Sequence, residues 1–312
     1  MKLGLFTACL PKLSFGQVAA WAAQAGYDAL ELAAWPASSP HPHQATHLDV
    51  DHVRADDVSH IQETLATHGL AVSAISCYEN NLHPDNAERD RIHCHLKACI
   101  DAAATLDVGC VGTFIGRDPG LTVAENLKLA EQHLPPIVDY ARERDVRIVI
   151  ENCPMEGWHP DGYPGNLAYS PELWDWMFSL GLYLNYDPSH LLWLGIDPID
   201  ALAPCLQQNK VLHVQAKDIE IDHRQRTRYS VFGKTVARTS PEDVGWWRYR
   251  VPGRGQLDWN HLIDTLYVGG FDGTVAVEHE DPIWTGSDEK LKQGLLIAAD
   301  TLRPLIPGRA AF

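Results

Sequence analysis

The chain has 312 residues, 45% of them hydrophobic and 21% charged, which is enough apolar material for a large core and lacks the bias of a disordered or fibrous sequence. Its 41 acidic side chains against 25 basic ones leave a formal charge of -16, which repels polyphosphate and argues against nucleic acid as a partner. No apolar run reaches the roughly 18 residues of a membrane span. Residues 1–5 lead into fold-like sequence rather than a signal peptide, so a cytoplasmic protein with no membrane partner is expected.

The first expected strand covers residues 3–8. Ser14 with Gln17 three residues later then forms a helix-start pattern, followed by an apolar face of Val18, Trp21 and Ala25 and a stop at Gly26. Short apolar runs recur at 29–32, 71–76, 110–114, 146–150, 182–186, 211–215 and 274–277, each separated from the next by amphipathic stretches. Ser170-Pro171 opens one of these, with proline at the first helical position. Helix-separated strands are parallel, and eight such units close most economically into a (β/α)8 TIM barrel of the α/β class, a single domain over 1–312. An open doubly wound sheet is the alternative, but Thr7-Ala8-Cys9-Leu10-Pro11 lacks the glycine fingerprint that should follow its first strand. The turns Gly26-Tyr27-Asp28 and Gly270-Phe271-Asp272 echo one another, through shared turn chemistry or a duplicated unit.

Seven widely spread cysteines without a CxxC pair read as buried thiols of a reducing compartment. Of the 16 histidines, His41, His43 and His47 make a loose cluster read as surface or structural before ligand.

In such a barrel the carboxyl ends of the strands build the active site. Strand five ends at Glu151, strand six at Asp187, strand seven carries His213 and Gln215, and strand eight ends at Glu278. Adjacent strands lie about 4.8 Å apart, so these side chains converge above the lumen. Any one carboxylate there would ordinarily be a helix cap or a solvated loop residue. Three crowded together repel unless a cation intervenes, and an oxygen-rich set suits one divalent ion, Mn2+ first, with Mg2+ or Co2+ as alternatives.

These segments resemble the xylose-isomerase-like TIM-barrel superfamily of sugar isomerases and epimerases. The likeness covers most of the chain and is clearest in Ile150-Glu151-Asn152, Asp187-Pro188-Ser189-His190-Leu191 and His213-Val214-Gln215-Ala216-Lys217-Asp218. It continues in Pro252-Gly253-Arg254-Gly255 with Asp258-Trp259, and in Gly270-Phe271-Asp272-Gly273 running into Glu278-His279-Glu280. The Trp246-Trp247-Arg248-Tyr249-Arg250 insert is similar to the subgroup acting on keto-sugars and 3-keto-glycosides. The resemblance implies that Glu151, Asp187 and Glu278 hold the metal and that His190 hydrogen-bonds substrate oxygens. The family usually shows His-x-His before this Lys-Asp pair and ligates through the second histidine, a position held here by Gln215. Either Gln215 ligates through its amide oxygen, the preferred reading, or His213, one layer deeper on the same face, takes over.

The implied reaction is isomerisation or epimerisation of a sugar through a metal-stabilised enediolate, with Glu151 and Glu278 as paired acid and base. Lys217, Arg117, Trp158 and His159 are candidate substrate contacts, with Thr7, Glu31, Tyr78 and Asn80 as further loop-end residues. Residues 218–257 are expected to form an inserted seventh βα loop, a lid or an oligomer contact, in a dimer or tetramer. The rivals are a metal-dependent lyase, hydratase or glycoside-cleaving enzyme working through the same enolate, an abasic-site endonuclease, and a non-catalytic sugar-binding barrel.

Overall fold

The computed structural model describes residues 1–37, 45–53, 55–155, 164–239 and 243–306, apart from the side chains of 55 and 56. Eight parallel strands close into one barrel: β1 (Lys2–Phe6), β2 (Ala29–Ala33), β3 (Ala71–Ser76), β4 (Cys110–Thr113), β5 (Arg147–Glu151), β6 (Tyr183–Tyr186), β7 (Val211–Ala216) and β10 (Thr274–Val277). Around the ring the order is β1-β10-β7-β6-β5-β4-β3-β2, so the strands carrying Glu151, Asp187, Gln215 and Glu278 are consecutive neighbours. Buried on both faces, these strands read as apolar runs with polar residues only where the lumen needs them. The chain is a single-domain (β/α)8 barrel.

The first strand is shorter than the sequence suggests: it ends at Phe6 and Thr7–Cys9 form a 3-10 turn. The buried Thr7 hydroxyl accepts a hydrogen bond from the Ala33 amide at 2.9 Å, tying β1 to β2. Ser14 and Gln17 do form a reciprocal capping box at the start of helix Phe15–Gln24, whereas Ser170 precedes helix Pro171–Ser179 without a capping side-chain bond. The two similar turns share one helix-stop geometry. Gly26 and Gly270 both have positive φ, and the following Tyr27 and Phe271 amides bond back five residues, to Ala22 and Leu266.

Two irregularities shape the lumen. Pairing slips between Leu30 and Glu31 on β2, leaving Ser73 of β3 without a partner, and again between Leu184 and Asn185 on β6, which leaves out Leu212 of β7. An extra residue in one strand re-aims the side chains beyond it. Here the hydroxyl of Ser73 reaches His213 across the barrel at 3.0 Å.

The insertion carries more order than an irregular loop. β8 (Asp218–Ile221) and β9 (Trp247–Arg250) pair antiparallel as a separate two-stranded ribbon. Both segments alternate polar and apolar residues, the period of a strand with one covered face. Ile219 and Ile221 are buried, and helix His223–Tyr229 lies between the two strands in sequence.

Candidate active site and metal centre

Glu151 is the last residue of β5, while Asp187, Lys217 and Glu278 directly follow β6, β7 and β10. All therefore stand at the carboxyl mouth. One ligand atom from each of Glu151, Asp187 and Glu278 lies within 4.8 Å of those of the other two. The Lys217 ammonium sits among them, 2.7 Å from Glu278 Oε2, 2.9 Å from Glu280 Oε2 and 3.2 Å from Asp187 Oδ2. His190 Nε2 is 3.1 Å from both Glu151 Oε1 and Asp187 Oδ2.

These contacts set the protonation of the site. Burial raises Glu151, with His190 and Lys217 pulling the other way. Burial likewise holds Glu278 well above the usual carboxylate range despite Lys217. Asp187 is as buried, yet Lys217 and His190 more than offset this and hold it at about 2. Burial disfavours charge on His190 and Lys217, but both are raised well above their ordinary values: His190 by Cys153, Tyr249 and Asp187, Lys217 by the carboxylates around it. A pair of raised carboxyls beside a firmly ionised one is the division of labour that acid–base chemistry needs.

One layer down, Gln215 Nε2 donates to Glu31 Oε1 and Oε2 at 3.2 and 3.3 Å and to the Tyr78 hydroxyl oxygen at 3.1 Å. His213 does not reach the carboxylate set. Its Nδ1 meets Asn185 Oδ1 at 3.0 Å, its Nε2 meets Ser73, and burial lowers its pKa. Of the two residues the sequence leaves open for the fourth ligand, His213 has both ring nitrogens engaged, whereas Gln215 Oε1 is buried and has no hydrogen-bond partner among the described residues.

The ribbon covers this mouth from one side. Tyr249 and Trp247 share one face of β9. The Tyr249 hydroxyl is 2.8 Å from His190 Nδ1, its ring lies 4.6 Å from Lys217 Nζ, and Trp247 stacks on Trp193 at 4.9 Å. Arg248 and Arg250, on the other face, pair with Glu220, and Arg250 Nε also reaches Asp281 at 2.9 Å. The fully buried Asp218 anchors the ribbon's base by accepting from the amides of Ile219, Gly253, Gly255 and Leu257 and from Trp259 Nε1. Gly255 is required there, because a Cβ would run into the Asp218 carboxylate.

The remaining sequence candidates fall elsewhere. Arg117 braces loops: its guanidinium donates to the carbonyls of Pro164 and Leu121 at 3.1 and 3.2 Å. Asn80 ties the same loops by accepting from the Arg117 amide and donating to its carbonyl. Trp158, His159, His41 and His43 lie outside the described residues, and His47 is buried against the Leu13 carbonyl. Sequence reasoning did not single out Glu280, Asn185, Cys153 or the Tyr249–His190 contact. Glu280 was signalled by its period-two spacing from Glu278, and Tyr249 by the alternation of 247–250. Asn185 and Cys153 carried no signal, although Cys153 with Glu151 and His190 forms a second trio of similar tightness.

The donors fit a divalent ion. Three carboxylates converge, and the buried Gln215 Oε1 lacks a hydrogen-bond partner among the described residues, a cost that a cation relieves. Asp187 Oδ2 is already balanced by Lys217 and His190, at 3.2 and 3.1 Å.

Similar proteins share this frame. YfiH of Bacillus subtilis, uncharacterised, is 28% identical over 304 residues, 90% of this chain and 93% of its own. Among solved structures, D-psicose 3-epimerase in the presence of D-fructose superposes with a TM-score of 0.68 at 15% identity, covering 99% of this chain and 100% of that one. The probable 3-DHS dehydratase AsbF of Bacillus anthracis gives 0.68 at 15% (97% and 99%), and IolI with a bound zinc atom gives 0.68 at 19% (99% and 100%). No helix among the described residues is long and apolar enough to cross a membrane. The sequence profile of the xylose isomerase-like TIM barrels matches residues 19–301, and the chain belongs to that family.

Proposed function

We propose that the protein is a divalent-metal-dependent sugar isomerase or epimerase, with Mn2+ as the working ion and a keto-sugar or 3-keto-glycoside as substrate. The observation that carries this reading is the convergence of Glu151, Asp187 and Glu278 at the mouth, with the amide oxygen of Gln215, one layer down on the neighbouring β7, buried and without a hydrogen-bond partner among the described residues. These four residues would hold the ion. When bound, it supplies Lewis-acid polarisation of the substrate carbonyl and neutralises the negative charge that develops as a neighbouring proton leaves.

The chain supplies the rest. Glu151 and Glu278 stand three strands apart on the ring, so a sugar above the lumen lies between them. One carboxylate takes the proton from the carbon beside the carbonyl. The other returns a proton to the opposite face of that carbon, giving an epimer, or to the adjacent carbon, giving an isomer. His190, held by Tyr249, keeps Glu151 oriented, and Lys217 does the same for Glu278. The apolar and aromatic face of the ribbon excludes water from that step. Seven unbridged thiols support a reducing, cytoplasmic setting, and the basic, partly exposed insertion supports a homo-oligomer contact.

A second reading, a lyase or hydratase on the same keto-sugar, is favoured by the buried Lys217 ammonium, a proton donor at the mouth for a departing hydroxyl or glycosidic oxygen. Incubating keto-sugars and 3-keto-glycosides with Mn2+ in deuterated water and following products by NMR separates the two. Solvent deuterium in an isomeric product supports proton return, and loss of a substituent supports elimination. Glu151→Gln should lower turnover at least about 100-fold. Near-normal activity would remove Glu151 from the chemistry, and absence of any reaction with Mn2+ across the panel would remove the substrate assignment.

A further inference from the structure

We propose that Glu31 is a positioning residue: its carboxylate sets the direction of the Gln215 amide so that Oε1, and not Nε2, is presented for metal binding. The inference rests on the reading of Glu151, Asp187, Gln215 and Glu278 as a metal centre. It concerns a residue on β2, three strands round the ring from the β7 that carries Gln215.

A glutamine amide has nearly the same shape in its two orientations, and only its oxygen can bind a cation. A histidine at this position would ligate through a ring nitrogen, its tautomer set by the partner of the other nitrogen. With glutamine, the surroundings must choose, and here they choose through proton direction. Tyr78 has a single hydroxyl proton, and it goes to Glu31 Oε1 at 2.6 Å. The Tyr78 oxygen can therefore only accept, and Asn185 Nδ2 already donates to it at 2.7 Å. Glu31, fully buried, has no proton to give as a carboxylate. The Gln215 amide thus faces two acceptors, Glu31 at 3.2 and 3.3 Å and Tyr78 at 3.1 Å, and only its NH2 end is compatible with them. The flipped amide would set its oxygen against a carboxylate and against an oxygen whose proton is already spent, and would take the Gln215 donor from both. Oε1 is thereby forced to the other side, where it is buried without any partner among the described residues.

The test measures Mn2+ dissociation constants by calorimetry, and Co2+ visible spectra, on the chelator-stripped full chain. Glu31→Gln is nearly isosteric but brings an NH2 group that stabilises the flipped amide equally well. It should weaken Mn2+ binding about tenfold or more, the usual cost of losing a ligand's orienting partner, and change the Co2+ spectrum. Gln215→Glu supplies a side chain with oxygen at both ends. In that background Glu31 opposes a second carboxylate, so adding Glu31→Gln should now strengthen Mn2+ binding. This reversal of sign is what a merely structural Glu31 cannot produce. Should Glu31→Gln not fold, Glu31→Asp, which withdraws the carboxylate by one methylene, should show the same weakening. Parental Mn2+ affinity in a folded Glu31→Gln, or the same loss in both backgrounds, overturns the inference alone. A parent chain that takes up no divalent ion overturns the metal reading and this inference with it.

Discussion

Replacing Lys217 by methionine removes the ammonium that the three surrounding carboxylates share and keeps a similar length of apolar stem. Glu278 and Asp187, at 2.7 and 3.2 Å, are themselves largely or wholly buried, whereas the Glu280 side chain is 47% exposed and its share is screened. Stripping one partner from a buried ion pair costs about 3–5 kcal/mol, because the remaining charge stays desolvated. At about 2 °C per kcal/mol for a chain of this size, melting should fall by about 6–10 °C at pH 8 in the presence of chelator. The deficit should depend on pH in a definite direction. The raised pKa of Lys217 makes its stabilisation fully present below its unfolded value and lost only far above neutrality, so the parent keeps it throughout the range from pH 5 to 8. In the variant, Glu278, already raised, goes higher still, and Asp187 leaves the low value that Lys217 and His190 impose. Both then take up protons on acidification, so the deficit should shrink from pH 8 to pH 5. Calorimetric melts at the two pH values measure it. A variant that melts within about 2 °C of the parent at pH 8, or one equally impaired at both, refutes the reasoning.

Asp218→Asn should be nearly as damaging as Asp218→Ala, because an amide NH2 in place of one oxygen faces backbone donors that need an acceptor. With each stranded buried group costing about 1–3 kcal/mol, both variants should show early proteolysis at the ribbon, and a mild asparagine phenotype would count against the anchor. Tyr249→Phe removes the partner of His190 Nδ1 and should lower the raised imidazole pKa, measured by NMR titration. Stability from that raised value is present below about pH 6.5 and fades as pH climbs through the folded pKa, so the variant should lose it at lower pH than the parent; an unchanged titration defeats the claim. Mn2+ at about a thousandfold over its dissociation constant should add about 4 kcal/mol to the chelated protein, an increase in melting temperature that EDTA reverses. No shift at any concentration speaks against the metal centre.

Much of the frame was legible along the chain because barrel strands, covered on both faces, must be apolar runs, and because a polar residue at the end of such a run stands out. Glu151, Asp187, Gln215 and Glu278 were visible in this way. The seventh βα insertion was visible by its length, but the ribbon within it was not: Asp218-Ile219-Glu220-Ile221 is too short to register as a strand until Trp247–Arg250 pairs with it, 26 residues later in sequence.

Local sequence thus determined which segments become strands and helices, where helices stop, and which residues stand at the carboxyl mouth, since backbone sterics, capping and side-chain periodicity act over a few residues. Only the closed barrel decided what those residues do to one another. It brought Glu31 from one side of the lumen to Gln215 on the other, engaged His213 with Ser73 through a slip in strand pairing, and gave the Arg117 guanidinium two loop carbonyls as partners. Hydrogen-bond direction and desolvation depend on every neighbour at once, and those neighbours are set by the ring and not by the order of the chain.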